Sequence, residues 1–359
     1  MRKLFLIGAL LCFYSAQAQK TENIIIITTD GFRWQELFGG MDPAIANNKL
    51  FFQSDSAGIY KKYWAEDADT RRKKLLPFFW STIAAQGQLY GNRWAGNYVN
   101  VSNPYKFSYP GYSEILCGYV DTAVNSNEYK PNPNTNLLEF FNNQPKYKGK
   151  VAAYGAWNAF DRILNEERSG FPVYSAYDEV GGKNPTVNEK LINAMLRDTH
   201  REWEGECMDV FTHYAAMEEL KVRKPRVLYI SYGETDEWAH GAKYSFYLNA
   251  AHQFDAWLKD IWSFLQSDPQ YKNKTTLLIT TDHGRGDVEK TKWTSHGKAI
   301  ADADQIWCAI MGPNTPALGE VKTKTQLWQK QFAQTVAKLM GQTFTAEHPV
   351  GEEIGTAIK

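Results

Sequence analysis

Residues 23–29, Asn-Ile-Ile-Ile-Ile-Thr-Thr, place four isoleucines in a row with no polar position between them. A strand with one wet face alternates apolar and polar residues. An unbroken apolar run belongs to a strand covered on both faces, as in a parallel sheet. Similar runs recur at 151–157, 226–231, 276–281 and 306–311. Between some of them the spacing becomes helical. Apolar residues at 244, 247, 248, 251, 254, 258, 261 and 265 mark one face of a long helix over 244–265. Leu327, Phe332, Val336 and Leu339 do the same over 326–340. Strands alternating with helices predict an α/β fold, a three-layer sandwich around a mainly parallel sheet. Two stretches fit the sheet poorly. The segment 40–75 is charged and irregular, and 120–224 opens on an Asn- and Pro-rich tract with few buried-strand signals. Both are expected as insertions on the rim, where loops carry substrate contacts.

Composition narrows the class. The chain has 359 residues, 43% hydrophobic and 22% charged, the profile of a globular protein. Formal net charge is zero, which gives no electrostatic reason to expect a nucleic-acid polymer or an anionic membrane as partner. The basic run Arg71-Arg72-Lys73-Lys74 reads as a solvated face. Arg2 and Lys3, an apolar stretch over 4–14 and Ala16-Gln17-Ala18 read as an export signal over 1–18, with a catalytic domain over 19–359. A periplasmic or secreted protein is expected. The apolar stretch is too short for a membrane span. Leu10 and Leu11 before Cys12 depart from the small residues of a lipoprotein cleavage site. Past the signal stand Cys117, Cys207 and Cys308. Three cysteines allow at most one disulfide, and their wide spacing fits no thiolate zinc site. Any metal is expected on Asp and His. Oligomeric state is left open.

Ligands of an open parallel sheet bind beyond the carboxyl ends of its strands. Asp30 follows the first run and meets Gly31; it could cap a helix starting near Phe32 or bind a metal. Asp282 and His283 follow the run 276–281 and precede Gly284, so a tight turn could aim both at one place and serve two ions a few ångströms apart. Asp236 and His240 lie four apart, on one side of a helical turn, as ligands of one ion or as a surface pair. His296 lies in a polar loop. Three Asp and three His suffice for two ions with three protein ligands each. Mixed nitrogen and oxygen donors suit two Zn2+, with Mn2+ or iron as alternatives. Ser108 opens the segment Ser108-Tyr109-Pro110-Gly111-Tyr112, a turn entering a helix with Pro110 in its first turn. A helix N-terminus favours an anion, and a zinc beside the hydroxyl would make it nucleophilic. By its own segment alone, Ser108 is a helix-cap serine.

Five pieces in this order resemble the alkaline phosphatase superfamily: Thr29-Asp30-Gly31, Ser108 to Tyr112 with Gly118, Asp236 to His240, Thr281-Asp282-His283-Gly284, and Ser295-His296-Gly297. They are most similar to its type I phosphodiesterase/nucleotide pyrophosphatase branch and related single-domain phosphatases. The resemblance implies one zinc on Asp236, His240 and His296. It implies another on Asp30, Asp282 and His283, shared with the Ser108 hydroxyl. The implied reaction is in-line attack by Ser108 on a small phosphate ester, monoester or diester, through a phosphoseryl intermediate. The sequence also departs from the branch. Ser108 stands where the branch usually has threonine. Asn127, with Asn125 beside it, is the candidate for the branch's phosphate-binding asparagine. No arginine matches a phosphate clamp, and Arg33 and Arg285 near the ligands have no assigned role. Trp157-Asn158 after a buried run could also line the site. Three rivals remain. A sulfatase needs Cys or Ser followed by x-Pro-x-Arg, and Tyr112 occupies the arginine position. A cofactor-independent phosphoglycerate mutase-like enzyme acts on a cytosolic substrate. An exported binding module would have no use for six intact ligand types.

Overall fold

The computed structural model describes residues 20–51 and 56–359; the export signal expected over 1–18 lies outside them. In chain order the strands are β1 (Asn23–Thr29), β2 (Gln88–Tyr90), β3 (Asn97–Asn100), β4 (Val151–Gly155), β5 (Val173–Ser175), β6 (Val227–Tyr232), β7 (Thr275–Thr280), β8 (Gln305–Ile306), β9 (Cys308–Met311), β10 (Gly319–Glu320) and β11 (Thr325–Trp328). The main sheet runs β10-β2-β9-β7-β1-β6-β4-β5, and a small sheet runs β11-β3-β8. The block β7-β1-β6-β4-β5 is parallel throughout, and β9 is antiparallel to both β7 and β2.

The isoleucine run explains the layers. Ile25 and Ile27 join one buried apolar cluster, Ile24 and Ile26 the other, so β1 is sandwiched by helices on both sides. The cluster holding Ile25 and Ile27 receives the long helix Tyr244–Ser267 through Tyr247, Leu248, Ala251, Leu258 and Ile261. The other cluster receives the helix Ser108–Cys117 through Tyr109, Tyr112, Ile115 and Leu116. Parallel pairing sets Thr28 of β1 level with Ser231 of β6 and Thr280 of β7, so three neighbouring strands end together.

Three expectations change. The run 306–311 is two strands: β8 in the small sheet and β9 in the main one. Trp307 between them is fully buried, with its indole donating to the Phe32 carbonyl at 2.9 Å. The segment 326–340 is not one helix. Its first residues form β11 against β3, and the helix proper is Phe332–Leu339. Of the segment 120–224, expected as an insertion, β4 forms at the buried run read over 151–157, and β5, not expected, joins it in the main sheet. The described residues of the segment 40–75 include short helices, of which Ala68–Leu75 packs on the helix Trp34–Gly39. Its basic run is partly engaged: Arg72 lies 3.6 Å over the Trp80 ring and pairs with Glu320. Cys117, Cys207 and Cys308 are buried and free.

Arg33 and Glu36 are both fully buried and form an ion pair. Arg33 also donates to the Gly286 carbonyl, and Glu36 accepts from the Tyr244 hydroxyl at 2.9 Å, which fastens the chain after β1 to the long helix. Removing one partner of a buried pair strands the other's charge. Arg33→Met is therefore expected to cost about 3–5 kcal/mol, read as a lowered denaturant midpoint at unchanged slope.

Candidate active site

Each of the three level strand ends delivers an acid. Asp30 follows β1 and Asp282 follows β7 one residue on. After β6, Gly233 begins the short helix Glu234–His240, which carries Asp236 and His240. His283 follows Asp282. The loop bearing His296 is held to the turn before Ser108, because Gly297 N donates to the Lys106 carbonyl at 2.9 Å. Lys106 itself has φ +56°, a conformation unfavourable for a side chain with a Cβ, at the turn that presents Ser108.

Ser108 is the first residue of its helix, and Phe107 is the cap. The hydroxyl caps nothing. It lies 3.3 Å from His283 Nε2. The helix comes close to the Asp282 turn because Gly111 has no side chain: a Cβ there would stand 2.6 Å from the Asp282 carbonyl oxygen. Asp30 is likewise no cap, since Arg33 holds that position for the helix Trp34–Gly39 and no side chain caps it.

The six predicted ligands gather in two groups: Asp30, Asp282 and His283, and Asp236, His240 and His296. Within each, one ligand atom per residue lies within 4.8 Å of the others. The geometry of the ligand atoms favours a cation. His283 Nδ1 faces the Gly284 carbonyl at 3.0 Å, which accepts only, so Nδ1 donates there. Nε2 is left to face Asp30 Oδ1 at 3.2 Å and Asp282 Oδ2 at 3.4 Å. Both oxygens are buried without a hydrogen-bond partner. In the second group His240 Nε2 lies 2.9 Å from His296 Nε2 and 3.0 Å from Asp236 Oδ2. Orphaned acceptors converging on one point fit a divalent cation at the first group, and two ring nitrogens closing on one carboxylate fit a second.

Electrostatics agree. Burial, then the Asp236 charge, pushes Asp30 well above the usual carboxylate range. Burial and then Asp30 push Asp282 up as well. Burial alone would raise Asp236 too, but Arg285, then His240 and His296, hold it well below its ordinary value. Burial, then His283, pushes His296 well down, toward the neutral form a metal needs.

Several contacts were invisible in the sequence. Tyr112 donates its hydroxyl to Asp30 Oδ2 at 2.8 Å. It lies four residues after Ser108, hence on the same side of the helix. Arg285, fully buried, donates to Asp236 Oδ1 at 2.9 Å and to the Trp293 carbonyl at 3.1 Å. Asn127 Oδ1 accepts from Tyr109 N at 3.0 Å, beside the nucleophile, whereas Asn125 is exposed. Trp157 does not reach the ligands by any bond; it faces Glu206 across an isolated bridge on the rim.

A mainly parallel sheet with these residues at its carboxyl edge is the architecture of alkaline phosphatase superfamily hydrolases. The chain is similar to the alkaline phosphatase PafA, with TM-score 0.62, 10% identity and coverage of 95% of this chain and 99% of that one. It is similar to the lipoteichoic acid synthase LtaP from Listeria monocytogenes, with TM-score 0.56, 12% identity and coverage of 95% and 77%. A 2-O GAG sulfatase gives TM-score 0.56, 12% identity and coverage of 94% and 74%. No curated protein matches. Within the superfamily the chain belongs to the type I phosphodiesterase / nucleotide pyrophosphatase family, whose model matches residues 38–342. Asp30 precedes the matched span, and the fold brings it to the other five.

Outer contacts that orient ligands typically change metal affinity roughly 10–100-fold when removed. Tyr112→Phe is expected to weaken metal binding at the Asp30 group by roughly that factor while far-ultraviolet circular dichroism stays unchanged. Competition with a calibrated chelator measures it, and wild-type affinity would show that the hydroxyl does not position Asp30.

Proposed function

We propose that this chain is an exported phosphodiesterase that attacks phosphorus with Ser108 between two zinc ions. The observation that carries the reading is the pair of Asp/His groups whose ligand atoms converge beside the Ser108 hydroxyl. Three protein ligands per ion with mixed nitrogen and oxygen donors suit catalytic zinc. When bound, the two ions would lower the pKa of the serine hydroxyl and offset charge on the leaving oxygen.

The chain's own groups do the rest. Ser108 Oγ bonds to phosphorus while the ester P–O bond breaks and the alcohol departs. Water then bonds to phosphorus, the Oγ–P bond breaks, and the hydroxyl is restored. The helix N-terminus at Ser108 favours the anionic phosphoryl group. Tyr109 N occupies Asn127 Oδ1, which leaves the Asn127 amide nitrogen as the donor for a phosphoryl oxygen.

Charge favours a diester over a monoester. The basic side chains attached to the site are committed to the protein. Lys106 Nζ sits on Asp304 and the Ala301 carbonyl, Arg162 on the Asn127 and Tyr129 carbonyls, and Arg285 on Asp236. A monoester dianion brings a second charge that a diester lacks, and these cations are not turned toward it. Tyr112 donating to Asp30, where a sulfatase has its arginine, speaks against sulfate esters. The basic-apolar-small pattern over 1–18 supports export.

The test compares bis-p-nitrophenyl phosphate, p-nitrophenyl phosphate, a nucleotide and an aryl sulfate. The diester is expected to have the highest kcat/KM, by roughly tenfold or more, about 1.4 kcal/mol in the barrier. Purified protein should carry about two zinc equivalents, and Ser108→Ala should lose turnover while keeping them. Full activity of Ser108→Ala, or of chelated protein, would refute the mechanism. A higher kcat/KM on the monoester would reverse the ester assignment alone.

A further inference from the structure

Behind the turn that presents Ser108 lies a buried hydrogen-bond network that the proposed reaction does not use. At its centre is Glu114, on the helix Ser108–Cys117 and fully buried. Its carboxylate accepts from Ser102 N at 3.0 Å, Asn103 N at 2.8 Å, Asn103 Nδ2 at 3.0 Å and Lys330 N at 3.1 Å. A carboxylate only accepts, so every one of these donors suits it. Burial pushes the Glu114 carboxyl up, and amide donors, not a cation, pull against that. A buried carboxylate without a counter-ion is costly, and such departures from an apolar core are expected where function needs them.

Asn103, itself buried, passes the hold onward. With its amide nitrogen on Glu114, its Oδ1 accepts from Tyr105 N at 3.1 Å and Lys106 N at 2.9 Å, the local turn that asparagine side chains favour. Lys106 is the residue at φ +56°, and a left-handed residue with a Cβ persists only where its surroundings over-determine it. Its N–H is fixed by Asn103 and its carbonyl by Gly297 N. Two residues on, the chain enters the helix at Ser108. The loop therefore folds back on the helix it feeds, in a ring from Glu114 through Asn103 and Lys106 to Ser108.

The remaining donor extends the network to the ligands. Lys330 follows Gln329, fully buried, whose Nε2 donates to the Asp282 carbonyl at 2.6 Å. Through Gly297 the Lys106 turn also meets the His296 loop. One carboxylate thus joins the nucleophile's turn to the Asp282 turn and the His296 loop. We infer that Glu114 and Asn103 are positioning residues, which set where the Ser108 hydroxyl stands against His283 while touching neither substrate nor metal ligand side chains. The kinetic consequence rests on the phosphodiesterase reading; the geometric one does not. A misplacement of about 1 Å at a reacting atom can cost on the order of a hundredfold in rate.

The test uses the full-length protein and two variants. Asn103→Ala removes the acceptor under Lys106 N, and Asn103→Ser returns a weaker one. On bis-p-nitrophenyl phosphate, Asn103→Ala is expected to lower kcat roughly 10–100-fold with KM within about twofold of wild type. Asn103→Ser should recover part of the loss, and both should keep wild-type zinc content. Crystal structures should show Ser108 Oγ displaced from His283 Nε2 by about 1 Å in Asn103→Ala relative to wild type. Wild-type kcat in Asn103→Ala, an unmoved Oγ, or a loss of kcat matched by a loss of zinc overturns the proposal. Should Asn103→Ala fail to fold, Asn103→Ser decides by the same readings. If the wild-type protein hydrolyses no ester, the phosphodiesterase reading fails, and the crystallographic comparison still decides the positioning role.

Discussion

Three carboxylates, Asp30, Asp282 and Asp236, stand within 3.7 Å of one nitrogen, His283 Nε2, in a place closed to water. Left to themselves they repel one another and lose the solvent that would stabilise their charge. Much of the surrounding structure answers that strain. Arg285 takes Asp236, the Tyr112 hydroxyl takes Asp30, and Gly31 N takes Asp282 Oδ1 at 3.1 Å. Two divalent cations would complete the balance. The sheet makes the crowding unavoidable: β6, β1 and β7 are adjacent, parallel and level, so whatever follows their ends must converge. This arrangement sacrifices stability at one edge of the sheet for concentrated ligand density, a trade expected of a functional site and not of a core.

The legible parts of this molecule were those governed by local rules. β1 was readable to the residue because both of its faces are buried, which leaves four isoleucines with no polar position between them. The ligand pairs were readable because each is close in sequence and follows a buried strand. What failed was decided by distant contacts. The period of Leu327, Phe332, Val336 and Leu339 runs on through β11, where a single buried residue, Leu327, satisfies a helix face and an edge strand equally. The apolar run 306–311 gives no hint that Trp307 must turn aside to reach Phe32. β5 is three residues long, too short to announce itself, and so its segment read as an insertion.

The same distinction holds inside the site. Ser108 was ambiguous in isolation; the structure removes capping as its role by giving that place to Phe107. Tyr112 had been informative only for what it is not, an arginine, and turns out to hold Asp30. Arg285 acts through a partner tens of residues away, so no spacing rule exposes it. Family membership fixes the general hydrolase class, while solved relatives at 10–12% identity fix only the fold.

The central position of β1 also bears on how the molecule comes into being. This strand has both neighbours far downstream: Thr28 bonds Ser231 across 203 residues, and Gly31 bonds Asp282 across 251. Contacts of such long range form late and slowly, since the loop they close must first be brought together. Until then a nascent chain displays four isoleucines, a ready template for association with another chain. β1 cannot be paired on both sides until β7 has been made, and a chain that stops short of His296 lacks part of the ligand set. Any metal the two groups take up would thus be acquired late in the life of the polypeptide, once its last central strand has found its place.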